Sequence, residues 1–247
     1  MEIYKITPLH VGTVFRKYSH MSYGSENEAI TPFPLSVLYL ESEHHRVMID
    51  TGGIEPDGEH WEPYIRKPEE RVDAKLKEIS VDPGSIDTVI LTHLHWDHAS
   101  NNALFPNAVF YVQKKEYDFT ASESNHRIKP FLRELLLKTE YKLVDGNQTI
   151  IDGIEAVPTP GHTPGSQSLI IRTEKGKVLF AGDLIPLLSN WEQTPKTPGG
   201  VLDNLEDARN SLELLSHYGV VQVLPSHDFA LFGGYAQSDG TDQGIIP

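Results

Sequence analysis

Four side chains able to bind a metal fall within six residues, His93-Leu94-His95-Trp96-Asp97-His98, directly after the apolar run Val89-Ile90-Leu91. Imidazole and carboxylate suit zinc, iron or manganese, so the residue types imply a borderline divalent ion without naming it. On an extended segment alternate residues point the same way, so His93 and His95 can serve one ion. Asp97 and His98, beyond the turn, can reach a second. Three later positions add donors of the same kind. His162 sits in the turn-forming stretch Pro160-Gly161-His162-Thr163-Pro164-Gly165-Ser166, Asp183 ends the strand-like run 177–182, and His227 follows the run 220–226 in the same way. Taken singly, a Gly-Asp or Ser-His after a strand is a turn or a helix cap. Taken together, at the ends of apolar strands, they complete a two-metal site.

Such a centre implies a chemistry. A hydroxide bridging two divalent ions is nucleophilic near neutral pH, because coordination lowers the pKa of water from about 15.7 to about 7. It attacks a carbonyl while one ion polarises the carbonyl oxygen and the other steadies the departing alkoxide, so no serine or cysteine nucleophile is required.

The elements that must position these residues are legible from periodicity. Runs 35–40 and 45–50, separated by Glu41-Ser42-Glu43-His44, read as a hairpin, and Asp50-Thr51-Gly52-Gly53 then turns the chain. Val72, Leu76 and Ile79 recur at helical spacing within 68–80, with Glu69 and Glu70 in the first turn. A strand over 86–91 delivers the metal cluster, and 108–112 is another. Residues 129–138 and 203–218 read as helices, and 168–172 with 177–181 as a hairpin around Glu174-Lys175-Gly176. The stretch 186–200, rich in Pro, Thr and Gly, reads as a loop bordering the site, and the residues after Phe232 as a flexible tail. Strands interleaved with helices imply a layered α/β architecture.

Composition narrows the class. At 247 residues the chain can bury a substantial core, and 1–247 is expected to form a single domain. The absence of cysteine excludes disulfides, thiolate ligands and cysteine nucleophiles, leaving nitrogen and oxygen ligands. The start, Met1-Glu2-Ile3-Tyr4-Lys5-Ile6, lacks a basic segment followed by a long apolar core. No later apolar run approaches membrane-spanning length, so a cytoplasmic protein without membrane contact is expected. A formal net charge of −14 repels phosphate backbones, and no dense Lys/Arg stripe offsets it, so nucleic acid is not an expected partner. Arg127, Lys129 and Arg133 read as a solvated helix face.

The order His93/His95/Asp97/His98, His162, Asp183, His227 resembles the metallo-β-lactamase superfamily. Leu104-Phe105-Pro106-Asn107-Ala108 with Glu116-Tyr117, and the segment from Thr159 to Leu169, look like its N-acyl-homoserine lactonase branch. The resemblance runs from about the first strand to His227. It implies a four-layer αββα sandwich and a dinuclear zinc centre, with iron, manganese or cobalt as other possible ions. His93, His95 and His162 would hold one ion, Asp97, His98 and His227 the other, and Asp183 would bridge them. Asp50 matches an aspartate that supports the centre from behind its ligands, although the residue also suits a plain turn. Asp97 would also pass a proton to the leaving oxygen.

The implied activity is the opening of a lactone ring, in an N-acyl-homoserine lactone or another small lactone; a homodimer is compatible with the sequence. One position departs from the pattern. The compared lactonases carry a tyrosine three residues after the bridging aspartate, and here that residue is Pro186. Tyr18, Tyr23 or Tyr235 could supply a hydroxyl from elsewhere, or the metal would polarise the carbonyl alone.

For the substrate pocket the sequence offers Tyr23, Phe33, Trp61 and Tyr64, while Phe105 reads as core. A thioester hydrolase like glyoxalase II shares the metal motifs, but only 20 residues follow His227, too few for that family's helical substrate-binding domain. Diiron oxidoreductases of the same fold usually have a glutamate in place of the cluster's second histidine, against His95 here. A non-catalytic binding protein would be expected to have lost ligands, and all seven are present.

Overall fold

The computed structural model of the protein describes residues 1–53, 63–123, 125 and 128–233. The chain opens with β1 (Lys5–Lys17), β2 (Ile30–Glu41), β3 (Arg46–Ile49) and the short β4 (Tyr64–Ile65), followed by α1 (Val72–Glu78). β5 (Thr88–Ile90), α2 (Trp96–Ala99), β6 (Val109–Gln113), α3 (Lys114–Ala121), α4 (Pro130–Leu137) and β7 (Tyr141–Val144) come next. β8 (Gln148–Ile151), β9 (Ile154–Pro158), β10 (Gln167–Thr173), β11 (Gly176–Phe180), α5 (Leu188–Glu192), α6 (Leu205–Ser216) and β12 (Gln222–Leu224) complete the strands and α-helices of the described residues. Two sheets result, ordered β4-β1-β2-β3-β5-β6-β7 and β12-β11-β10-β9-β8.

The two-residue period of the strands builds the layers. Leu38, Leu40, Val47, Ile49 and Ile90 of the larger sheet meet Leu169, Ile171, Val178 and Phe180 of the smaller one in the central core. The alternate residues Val37, Tyr39, Met48 and Val89 face outward, onto Leu76 of α1 and Leu132 and Leu136 of α4. On the far side Ile170, Leu179 and Val223 pack on Ala208, Leu212 and Leu215 of α6. Strands apolar on both faces therefore require helices outside both sheets, which is the expected αββα sandwich. Each fully buried Leu, Ile or Val contributes roughly 1.5–3 kcal/mol.

The expected hairpins pair as β2 with β3, Leu38 opposite Ile49, and as β10 with β11, Leu169 opposite Phe180. One expectation needs correction. The stretch read as a loop over 186–200 contains the short helix α5, whose start is closed by Leu187 N–H donating to Asn190 Oδ1 at 2.8 Å. Residues 234–247, read as a tail, lie outside the described residues. Among the described residues no helix is long and apolar enough to cross a membrane.

Topology gathers the chemistry at one edge. β3 and β5 run parallel in one sheet. In the other, β9 and β11 are each antiparallel to β10, and β11 is parallel to β12. The C-terminal ends of β3, β5, β9, β11 and β12 deliver Asp50, residues 93–98, His162, Asp183 and His227 respectively. Gln167 stitches the sheets together there: its N–H donates to Thr92 O at 2.9 Å and its Nε2 to Leu91 O at 2.8 Å.

Candidate metal centre

Seven donors converge in two groups, His93, His95 and His162 in one, Asp97, His98, Asp183 and His227 in the other, the ligand atoms of each lying within 4.8 Å of one another. In the first group His93 Nε2 and His162 Nε2 lie 3.1 and 2.8 Å from His95 Nδ1. Burial, followed by the charge of His98, holds His93 well below the usual imidazole range; burial likewise pushes His95 down to about 3 and lowers His162. A neutral imidazole carries a lone pair on one ring nitrogen, which is the form a cation requires.

Asp183 stands between the groups. Its Oδ1 is 3.1 Å from His98 Nε2 and 3.0 Å from His227 Nε2, while its Oδ2 is 3.5 Å from His162 Nε2. Burial works against ionisation here, but the facing His227 and His98 outweigh it and hold Asp183 well below the carboxylate range. His98 is driven the other way: burial opposes its charge, yet Asp183, Asp50 and Asp97 raise it well above the usual range.

Each ring is aimed by its other nitrogen. His98 Nδ1 donates to Asp50 Oδ2 at 2.8 Å, His162 Nδ1 to Val201 O at 2.7 Å, and His227 Nδ1 to Pro34 O at 2.9 Å. His93 Nδ1 lies 3.1 Å from Thr92 Oγ1, which itself donates to Asp50. This arrangement leaves every Nε2 of these four rings pointing inward. The Nε2 atoms of His98 and His227 are buried without a hydrogen bond, since their approaches to Asp183 lack bonding alignment. Buried ring nitrogens without hydrogen-bond partners, beside the buried carboxylates of Asp50, Asp97 and Asp183, fit divalent cations of nitrogen and oxygen preference.

Asp50 serves both readings the sequence left open. It turns the chain at φ 61°, in the left-handed region that aspartate tolerates, and its carboxylate accepts from Thr92 N–H at 2.7 Å as well as from His98.

Two supporting residues escaped the sequence reading. Glu116, fully buried on α3, accepts from Leu94 N–H at 2.9 Å and Thr163 Oγ1 at 2.6 Å, tying the loop of His93 and His95 to that of His162. Burial raises its carboxyl, partly offset by Thr163 and by the Leu94 and Gly165 amides. Glycine is required at 165, where a Cβ would sit 2.0 Å from Glu116 N. Glu116 falls in a segment picked out for its family likeness, but its role needs contacts across 22 and 47 residues. Arg16 of β1 is the other. Its Nη2 lies 3.3 Å from Asp97 Oδ2. Burial opposes the ionisation of Asp97, but His98 and Arg16 prevail and lower it.

Beside the centre lies a cavity of about 220 Å³, with Arg16, His95, Asp97 and His162 at its polar end. Leu94, Ile128, Leu132, Leu136, Val201 and Leu202 form an apolar wall, and Trp96 completes it. The described residues among those offered for the pocket, Tyr23, Phe33 and Tyr64, do not line this cavity. Tyr23 borders a separate depression with Pro195 and Lys196 and lies under the Arg209 guanidinium at 5.9 Å. Phe33 is in the core against Tyr18, ring centroids 6.2 Å apart. Tyr64 is buried edge-on to Trp96 at 5.2 Å, behind the cavity. Trp61 and Tyr235 lie outside the described residues.

The metallo-β-lactamase superfamily model matches residues 30–229. The chain belongs to this superfamily and is a metal-dependent, ester-hydrolysing enzyme of its lactonase branch. It is 32% identical over 190 residues to an N-acyl homoserine lactonase of Bacillus thuringiensis, covering 70% of this chain and 74% of that one. The N-acyl homoserine lactonase AttM of Rhizobium radiobacter is 28% identical over 244 residues, 89% and 91% of the two chains. Among solved structures, an N-acyl homoserine lactone hydrolase with N-hexanoyl-L-homoserine at its catalytic metal centre superposes with a TM-score of 0.77. That pair is 26% identical, and the match covers 93% of this chain and 95% of that one.

Proposed function

We propose that the protein is a dinuclear zinc lactonase that opens an N-acyl-homoserine lactone or a closely related small lactone. The observation that carries this reading is the pairing of two ligand groups, bridged by Asp183, with an apolar cavity that ends on them. His93, His95 and His162 would hold one ion, Asp97, His98 and His227 the other, and Asp183 would contribute to both. When bound, two zinc ions supply Lewis acidity toward a carbonyl oxygen and lower the pKa of water toward neutrality.

The chain's own residues do the rest. Leu132, Leu136 and Val201 receive an acyl chain and exclude water from the reacting ester. A lactone carbonyl presented at the polar end of the cavity lies beside Asp97, whose carboxylate is 2% exposed and held by Arg16. The Asp97 carboxylate takes a proton from the attacking water and, as the ring C–O bond breaks, passes it to the departing oxygen, which becomes the hydroxyl of the opened product. Asp50, Thr92 and Glu116 keep the ligand rings aimed through this cycle.

The likeness to lactonases of known name supports the substrate class. The test is a pH-indicator screen of the zinc-loaded protein against lactones, thioesters, β-lactams and phosphodiesters. Lactone turnover well above the rest is expected; activity confined to thioesters or phosphodiesters overturns the reading.

A further inference from the structure

Arg16 is the one cationic side chain among the described residues lining the cavity beside the centre. It reaches that place from β1, far from every ligand in sequence, with its side chain 11% exposed and its Nη2 3.3 Å from Asp97 Oδ2. The same cavity shows no tyrosine, serine or threonine among its described lining residues, and Pro186 turns its carbonyl to the His227 amide at 2.9 Å. A guanidinium at the junction of an apolar wall and a metal-ligand cluster is placed to meet charge as it forms on a bound ester. It stays protonated throughout, and its planar fork of N–H donors, one of them on Nη2 directed at Asp97, matches the geometry of a carboxylate.

We propose that Arg16 is a catalytic residue that binds the carbonyl oxygen of the scissile ester and then the carboxylate of the opened product. This rests on the lactonase reading above. In the addition step a water oxygen forms a bond to the lactone carbonyl carbon, and the carbonyl π pair moves onto oxygen. An Arg16 N–H donates to that oxyanion. The pair then returns as the ring C–O bond breaks, one proton of the added water passes through Asp97 to the ring oxygen, which becomes a hydroxyl, and the new acid gives the other proton to solvent. The resulting carboxylate is held by the same guanidinium. Asp97 and Arg16 thus divide the ester between them, one at the leaving oxygen and one at the carbonyl oxygen.

The test uses the full-length zinc-loaded protein and its Arg16→Gln and Arg16→Lys variants, with zinc content measured for each. The binding of ring-opened N-hexanoyl-L-homoserine is followed by calorimetry, and kcat and KM are measured on N-hexanoyl-L-homoserine lactone. Arg16→Gln is expected to weaken product binding about ten- to hundredfold, as loss of a hydrogen bond to a charged group does. It should lower kcat about a hundredfold, as loss of one oxyanion donor does. Arg16→Lys should restore part of both. Unchanged product affinity in a zinc-replete Arg16→Gln protein overturns the proposal. So does an effect of Arg16→Gln on product binding that vanishes in an Asp97→Asn background, which would place its action entirely through Asp97. If the wild type binds the product through Arg16 yet opens no lactone, the lactonase reading and the catalytic role of Arg16 fail, while its binding of the carboxylate stands.

Discussion

The two halves of the centre are built on opposite electrostatic plans. His93, His95 and His162 form a neutral cup, each ring kept uncharged by burial and aimed by a hydrogen bond or a neighbouring ring. Asp97, His98, Asp183 and His227 form an anionic cup, in which the buried carboxylates Asp183, Asp50 and Asp97 raise His98 against its burial. The halves also lean mainly on different supports, although Asp50 reaches His93 through Thr92. The neutral one depends on Glu116, which joins its two loops, and the anionic one on Asp50, which aims His98. A dinuclear site of this kind can therefore be dismantled one half at a time.

The largest effect should come from the anionic half. Asp97→Asn should keep most of the zinc but lower turnover about 10²- to 10⁴-fold, the range for a positioned proton donor. Steady-state kinetics beside metal analysis checks this, and unimpaired hydrolysis by a zinc-replete variant would remove Asp97 from proton transfer.

The supports come next. Glu116→Gln and Asp50→Asn should each weaken zinc binding about 10- to 100-fold, as loss of a partner behind a metal ligand does. Stepwise zinc titration should show them acting on different binding steps. Asparagine tolerates the φ of 61° at position 50, so Asp50→Asn isolates the hydrogen bond, whereas Asp50→Ala adds backbone strain. Both variants weakening the same step would show that the halves are not separable. Glu116→Gln should also cost about 1–3 kcal/mol of stability in urea unfolding, because one buried donor then faces an amide N–H.

The smallest effect concerns the cavity wall. Each methylene added to the acyl chain should improve kcat/KM about fourfold, equivalent to about 0.8 kcal/mol, until the cavity of 220 Å³ is full. A flat response from butanoyl to octanoyl lactones would place the acyl chain outside it.

The fold and the ligand loops could be read from the sequence because their signals are local. Strand period, turn formers and the spacing of His93 to His98 all act within a few residues, and the 93–98 cluster, Asp183 and His227 each follow an apolar strand. Asp50 was only half legible: the sequence marks a turn, but not that the turning residue also holds His98 across 48 residues. Glu116 and Arg16 act over 22 to 81 residues, and no local period carries that information. The cavity shows the same limit. Helical spacing marks Leu132 and Leu136 as an apolar face but not what that face covers, and for the same reason the aromatic residues Tyr23 and Phe33 were placed near a site they do not line.

The central claim is that lactone opening needs both cups filled. Metal-free protein should be titrated with zinc while hydrolysis of N-hexanoyl-L-homoserine lactone is followed with a pH indicator. Turnover should stay near baseline through the first equivalent and rise to a plateau at the second. Full activity at one equivalent, or no lactone opening at two, would contradict it.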